Sequence, residues 1–364
     1  LLDFSLSEME EFFRSLGQPP FRAKQVFQWV YHDLTPDLAE MTTLPKSLRD
    51  RLLPSVVVQP LGLVTQTVSE DGLTRKGLFR LLDGSTIESV LMLYPTEEGT
   101  RRTVCVSSQV GCAMGCEFCA TGKAGFSRNL TSGEILGQVL HFAKVVADKE
   151  GPAARITNVV FMGQGEPLAN FDAVWKAIET MNSPYGLNVG ARHITISTVG
   201  LPSRIRQLAE RPLQVGLAIS LHAPDDTLRA RLMPVDQRFP IADVMDACRD
   251  YIKQTGRRVT FEYSLLDGVN DSTGHTQQLA RLLRGLLCHV NLIPLNYIEG
   301  TPFRPSPWER VLAFQRELIS LGINTTVRMR RGGEIAAACG QLRGAHEAAG
   351  SEGAEKPAAE PPRP

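Results

Sequence analysis

The chain has 364 residues, with 39 basic and 39 acidic side chains, a formal net charge of zero, 43% apolar residues and 21% charged ones. That length supports a core without disulfide staples, and the neutral balance excludes a strongly basic, non-specific nucleic-acid binder while leaving room for local patches. No apolar run is long enough to cross a bilayer, and the opening LLDFSLSEMEEFF is acidic and amphipathic rather than a basic, apolar signal segment, which predicts a cytoplasmic protein with no membrane partner.

Residues 1–52 read as a small helical domain. SEMEEFFRSLG offers a cap at Ser7, apolar residues at helical spacing and Gly17 as a stop, and RAKQVFQWVYHDL continues with the same period. Over 53–102 short strands are expected in VVVQPLGLVTQTVS, TRKGLFRLL and TIESVLMLY, separated by EDG and LDG turns, as an antiparallel extension. From 103 to 343 the apolar runs TVCVSSQ, NVVFMGQG, HITISTVG, QVGLAISLHA, RVTFEYSLL and VNLIPLN alternate with helical stretches such as SGEILGQVLHFAKVVADKE. Six such alternations predict right-handed crossovers and an α/β fold, an incomplete parallel (β/α)6 barrel. The tail, 344–364, is rich in Ala, Glu and Pro and is expected to be disordered. Chemistry in parallel barrels lies at the carboxyl ends of the strands, where the cysteines, GQGEP, STVG, SLHA and LN all fall.

Seven cysteines, an odd number, favour metal binding or catalysis over a disulfide framework. Cys112, Cys116 and Cys119 lie in VGCAMGCEFCATG with the spacing C-x3-C-x2-C. They are one ligand short of a tetrahedral zinc site. Zinc completed by a distant ligand such as Cys105 or a histidine, and an iron–sulfur cluster with one iron left open, both suit the pattern. Cys248 and Cys288 read as core. Cys339, in EIAAACGQLR near the arginines of VRMRRGG, reads equally as a buried helical residue or as a nucleophile whose thiolate those arginines favour. Cys105 could face either the sheet interior or a site.

The three-cysteine run with Phe118 before its last member resembles the radical S-adenosylmethionine (SAM) signature, and MGQGEPL resembles that superfamily's Gly-Glu-Pro motif; GQGEPL lacks the third glycine of a dinucleotide fingerprint. With GFSRNLTSGEI, SLHAPDD, LIPLN and ACGQL added, residues 3–343 resemble the radical SAM adenosine methyltransferases that modify ribosomal RNA, although Gln164 stands where that family more often has Met. The resemblance implies a [4Fe-4S] cluster on Cys112, Cys116 and Cys119, with SAM on the open iron and in contact with Gly165, Glu166, Ser197, Ser220, Leu221, His222 and Asn296. It implies that Cys339 takes a methyl group from one of two SAM molecules used per turnover, that a radical from the second activates it toward adenine, that Cys105 resolves the protein–RNA thioether as a disulfide with Cys339, and that Glu88 accepts the proton of carbon 2. Strand alternation alone would make Glu88 an outward polar residue. Carbon 2 of adenine has no nucleophilic lone pair, which is why a radical route is required.

The partners implied are 23S rRNA at the peptidyl-transferase region, the adenosine 3' of the anticodon in some tRNAs, and an electron donor such as flavodoxin or ferredoxin, acting on a monomer. Arg328, Arg330, Arg331 and Arg343 are expected to meet phosphates, and the base must leave its stack to react. Arg22 and Lys24, with Phe21, Phe27, Trp29 and Tyr31, offer a second RNA contact, although most of these aromatics are expected in the domain core. The rivals are the sister activity at carbon 8, associated with antibiotic resistance, and a non-catalytic iron–sulfur or zinc RNA-binding protein.

Overall fold

The computed structural model describes residues 1–296, 301–328 and 335. The chain opens with three helices, α1 (Leu6–Ser15), α2 (Phe21–Phe27) and α3 (Lys46–Leu52). The cap of α1 is Ser5 rather than Ser7: the Ser5 N–H donates to Glu8 Oε2 at 2.7 Å and the Glu8 N–H donates to Ser5 Oγ at 3.3 Å, a reciprocal box that needs the acid three residues after the cap. Gly17, at φ +71°, follows its end as expected.

Four antiparallel strands follow, β1 (Gly62–Val68), β2 (Thr74–Arg80), β3 (Thr86–Thr96) and β4 (Gly99–Cys105). A hairpin of β5 (Gln109–Gly111) and β6 (Phe126–Asn129) encloses the cysteine loop and the short helix α4 (Ala120–Lys123). Strand and helix then alternate: α5 (Ser132–Glu150), β7 (Asn158–Phe161), α6 (Phe171–Asn182), β8 (Ile194–Thr198), α7 (Pro202–Ala209), β9 (Gly216–Ser220), α8 (Asp226–Leu232), α9 (Ile241–Thr255), β10 (Val259–Leu265), α10 (Thr273–Leu283), β11 (Cys288–Pro294), α11 (Trp308–Ser320) and β12 (Thr325–Val327). The first crossover helix, α5, begins at a second capping box, Thr131 with Glu134.

All strands except the hairpin form one sheet in the order β1-β2-β3-β4-β7-β8-β9-β10-β11-β12, parallel from β4 onward. Its edges, β1 and β12, do not meet among the described residues, so the curve is an open, incomplete barrel carrying an antiparallel extension, as expected from the sequence. The parallel part has one strand more than the six expected. Its last member, β12, is only three residues long, too short for alternation to register. Strand β4 begins earlier than TVCVSSQ suggested and ends at Cys105, because pairing with β3 starts at Gly99.

One apolar core runs through the molecule, from Leu2, Met9 and Phe13 through Phe79, Ile135 and Phe142 to Val259, Phe261 and Phe314. Full burial of each such phenylalanine is worth about 2 kcal/mol. The N-terminal helices are also pinned by polar contacts: Asp3 Oδ1 accepts from the Gly133 N–H at 2.7 Å and Ser132 Oγ at 3.1 Å, at the start of α5, where a carboxylate meets the positive end of a helix. Among the described residues no helix is long and apolar enough to cross a membrane.

Candidate active site

The cysteine loop is clamped at its base. Gly111 holds φ +74°, a Cβ there would lie 1.9 Å from the Gly125 carbonyl oxygen, and the Cys112 N–H donates to that same oxygen at 2.8 Å. Only glycine allows this approach. Arg128 on β6 fastens the hairpin, its Nη1 and Nη2 each 2.8 Å from the Glu134 carboxylate and its Nε 2.6 Å from Asp83 Oδ2. The loop then lies over a small apolar cluster of Val199, Ala223, Leu232, Met233, Leu266 and Leu295, against which Met114, Cys116 and Phe118 pack. The Glu117 N–H donates to the Leu232 carbonyl at 3.0 Å.

The loop brings Cys112, Cys116 and Cys119 into one another's field. Burial, with the charges of Cys119 and Glu166, pushes Cys112 up to about 11 despite a hydrogen bond from the Met114 backbone, and burial with both other thiols and Glu166 pushes Cys116 higher still against the Arg229 charge. Among the described residues no three His, Cys, Asp or Glu side chains are drawn into metal-ligand geometry. The donor set nevertheless fits a cationic iron–sulfur centre: three soft donors share a glycine-bounded loop, and burial with mutual repulsion outweighs the Arg229 charge near Cys116, so a bound cationic cluster would favour their thiolates.

The second strand-end loop locks onto the first. A Cβ on Gly165, at φ +104°, would lie 2.6 Å from Gln109 Cβ, and one on Gly163 would lie 2.7 Å from the Val106 carbonyl carbon. The Glu166 N–H donates to Gln109 Oε1 at 2.8 Å, while its carboxylate accepts from the Leu168 N–H at 2.9 Å and the Val199 N–H at 2.8 Å. Burial raises this carboxyl to about 7 against those bonds. Beside it Gln164, 2% exposed, has no hydrogen-bond partner for Oε1 among the described residues. An ammonium or hydroxyl group on a ligand would satisfy this buried acceptor, which fits SAM.

Ser197 lies within β8 and Ser220 closes β9. Leu221 is fully buried in the core, so only its backbone is available. His222 holds φ +59°, unusual for a residue with a side chain. Its carbonyl accepts from Asn270 Nδ2 at 2.8 Å, and its Nδ1 accepts from the Ser264 N–H at 2.9 Å, which leaves the proton on Nε2. Its ring meets Phe118 of the cysteine loop edge-on at 4.8 Å. Asn296 is exposed just beyond β11. Cysteine loop, glycine turn, Ser197, Ser220, His222 and Asn296 thus share the carboxyl-terminal rim.

Glu88 and Cys105 lie deeper. Around these two residues strands β2 to β4 are covered on both faces. Phe79 points to α5, where it meets His141 and Phe142 edge-on at 4.9 and 6.1 Å, and by register Ile87, Leu91 and Val104 share its face. The alternate set, Lys76, Glu88 and Cys105, therefore faces the barrel interior. Alternation assigns Glu88 to the face opposite Ile87, but that face is not solvent: Glu88 is 3% exposed and Lys76 Nζ lies 3.3 Å from its Oε2. Cys105, the last residue of β4, is 9% exposed, and burial raises its thiol, opposed by the charges of Arg328 and Lys76 and a hydrogen bond from the Met162 backbone.

Cys339, Arg330, Arg331, Arg343 and the tail 344–364 lie outside the described residues. Arg328 turns toward the interior, with Nη1 3.5 Å from Met162 Sδ. Cys248 is core, and Cys288 is half-buried within β11, packed against the same core. In the N-terminal helices Phe27 and Tyr31 pack together at 5.0 Å, while Phe21 is exposed beneath the Arg22 guanidinium. Sequence reading passed over Lys76, Asn270 and Arg229. The last is fully buried, and donates to Asp236 Oδ1 at 2.7 Å, Val199 O at 2.5 Å and Leu221 O at 3.3 Å, tying together the ends of β8 and β9. Arg231 stands two residues away on the same helix, so the sequence does not single out Arg229; Lys76 alternates with Thr74 and Leu78 on one strand face, which could have marked its side of the sheet but not its pairing with Glu88.

An open parallel barrel with a three-cysteine loop and a glycine-bound turn on one rim defines a radical SAM enzyme. The profile of the radical SAM superfamily matches residues 106–280, and that of the ribosomal RNA large subunit methyltransferase N-terminal domain matches residues 1–58. The chain is 51% identical to a Chloroflexus aurantiacus protein described as a probable dual-specificity RNA methyltransferase RlmN, covering 95% of this chain and 93% of the relative, and 50% identical to a protein of the same description from Symbiobacterium thermophilum, covering 93% and 90%. The crystal structure of a radical SAM methyltransferase from Sphaerobacter thermophilus superposes with a TM-score of 0.90 at 50% identity, over 94% of this chain and 98% of that one. The chain belongs to the RlmN family of radical SAM RNA methyltransferases, enzymes that use a [4Fe-4S] cluster and SAM.

Proposed function

We propose that this enzyme methylates carbon 2 of an adenosine in the peptidyl-transferase region of 23S rRNA, and of the adenosine 3' of the anticodon in some tRNAs, through a methylated Cys339 that Cys105 resolves. The observation that carries this reading is the burial of Glu88 and Cys105 on one inward face of β3 and β4, an acid and a thiol with no structural need for each other. The cluster and SAM supply, when bound, the one-electron chemistry that a carbon without a nucleophilic lone pair requires. Cys112, Cys116 and Cys119 would hold the cluster. Gly165, Glu166, Ser197, Ser220, Leu221, His222 and Asn296 would hold SAM, two molecules being used per turnover.

In this scheme Cys339 carries the methyl group and becomes joined to the base as a thioether. Glu88 accepts the proton of carbon 2, and the Cys105 thiolate attacks the sulfur of Cys339. The enzyme acts as a cytoplasmic monomer, reduced by a donor such as flavodoxin or ferredoxin. Membership of a methyltransferase family leaves a non-catalytic RNA-binding role without support. The test is anaerobic reconstitution, reaction with RNA, SAM and reductant, and mass spectrometry of the nucleosides. A 2-methyladenosine peak that disappears in Cys339→Ala supports the reading; 8-methyladenosine overturns the choice of carbon.

A further inference from the structure

Lys76 is 1% exposed in the middle of β2, where a lysine is rare unless paired. Its partner is Glu88 at 3.3 Å, itself buried. Fold stability alone is a weak reason for such a pair, because apolar replacements of buried ion pairs are often neutral or stabilising. The register adds a second relation. Lys76 lies opposite Val90, and Val90 lies opposite Cys105, so the three form one row across β2, β3 and β4 on the inward face, with Glu88 two residues from its middle member. Directly opposite Cβ atoms are about 5 Å apart, and the flexible four-carbon stem of lysine lets one ammonium serve both neighbours.

We propose that Lys76 is a positioning residue whose ammonium is the buried counter-charge shared by Glu88 and Cys105: it aims the carboxylate and compensates the negative charge on Cys105 when the protein–RNA bond is broken. This rests on the reaction proposed above. In the step concerned, the Cys105 thiolate attacks the sulfur of Cys339, a sulfur–sulfur bond forms and the sulfur–methylene bond breaks. Both electrons of the broken bond go to the methylene carbon, which takes a proton from solvent to become methyl. The two sulfurs are oxidised to a disulfide, the carbon is reduced, and Lys76 donates no atom.

Among the described residues the charged groups in the field of this thiol are Arg328 beyond β12 and Lys76 from β2, and Glu88 from β3 lies on the same face. Arg328 is also in the field of Glu262 and touches Met162. Lys76 alone of the two cations is ion-paired with Glu88 among the described residues.

The test compares the reconstituted wild type with Lys76→Met and Lys76→Arg. Lys76→Met is expected to lower methyladenosine formation about 10- to 100-fold, the usual effect of losing a supporting contact, and to accumulate a covalent protein–RNA adduct on denaturing gels; Lys76→Arg should recover most of the yield and clear the adduct. Independently of turnover, the rate at which methyl methanethiosulfonate labels Cys105, followed by peptide mapping across pH, should shift to higher pH in Lys76→Met and stay near wild type in Lys76→Arg. Should Lys76→Met fold poorly, Lys76→Met/Glu88→Gln removes the stranded charge, and the labelling shift should persist. Wild-type turnover without adduct, or an unshifted labelling profile, overturns the assignment. A wild type that labels as expected but methylates no RNA overturns the reaction and, with it, the catalytic use of Lys76, while leaving the shared charge standing.

Discussion

His222 combines a strained backbone with a fixed proton. The Ser264 N–H occupies Nδ1 and Asn270 holds the carbonyl, while complete burial, reinforced by Arg229, lowers the imidazole to about 3. The ring should therefore appear in proton–nitrogen spectra as the neutral Nε2–H tautomer, without titration between pH 8 and 5. The native state binds no proton where the unfolded chain does, so this group contributes stability above its ordinary value near 6.5 that is lost as pH falls toward 3. Chemical denaturation across that range should show the loss, and His222→Phe should weaken the dependence. Arg229 tests the same rim by removal. Arg229→Met removes the partner of Asp236, 3% exposed, and a donor to the carbonyls of Val199, Ser220, Leu221 and Phe239, so urea denaturation should report a loss of about 3–5 kcal/mol, partly recovered by adding Asp236→Asn.

The hairpin of β5 and β6 has no counterpart among the elements expected from sequence, yet it decides whether the cysteine loop is held. Gly111→Ala would drive a methyl group into the Gly125 carbonyl and add strain at a positive φ. The expected outcome is a protein with native far-ultraviolet circular dichroism that retains only a small fraction of the iron bound by wild type after reconstitution. Strands with plain periodicity, such as HITISTVG and RVTFEYSLL, and the long helix α5 were legible because burial repeats at a fixed spacing. Strand β5, three residues long, offers no period to detect. Spacing alone left zinc and an iron–sulfur cluster both open at the cysteine loop, and only the resemblance carried by the motifs around it chose between them. The ion pair of Lys76 and Glu88 was not legible, because alternation separates two faces without saying that both are covered. The cap of α1 was misplaced for a related reason: serines stand at both 5 and 7, and the reciprocal bond with Glu8 assigns the cap to Ser5 and leaves Ser7 inside the helix.

At the scale of the molecule, the N-terminal helices and the barrel share one core, with Asp3 and Glu8 bonded to residues of α5 and α6. They should unfold together: Trp29 fluorescence and barrel circular dichroism should give coincident urea transitions, and separated midpoints would contradict the shared core. Asp3→Ala should cost about 1 kcal/mol, as loss of a helix cap usually does, without splitting the transition. The sheet leaves its two edges apart among the described residues, and that gap concerns the size of what the enzyme can serve. A closed barrel admits only molecules that fit its mouth. An open-sided one can be straddled by an object far larger than itself, so long as one protruding base reaches in. On the proposed reaction, unrelated RNAs would then qualify by the posture of a single nucleotide, whatever the architecture that presents it.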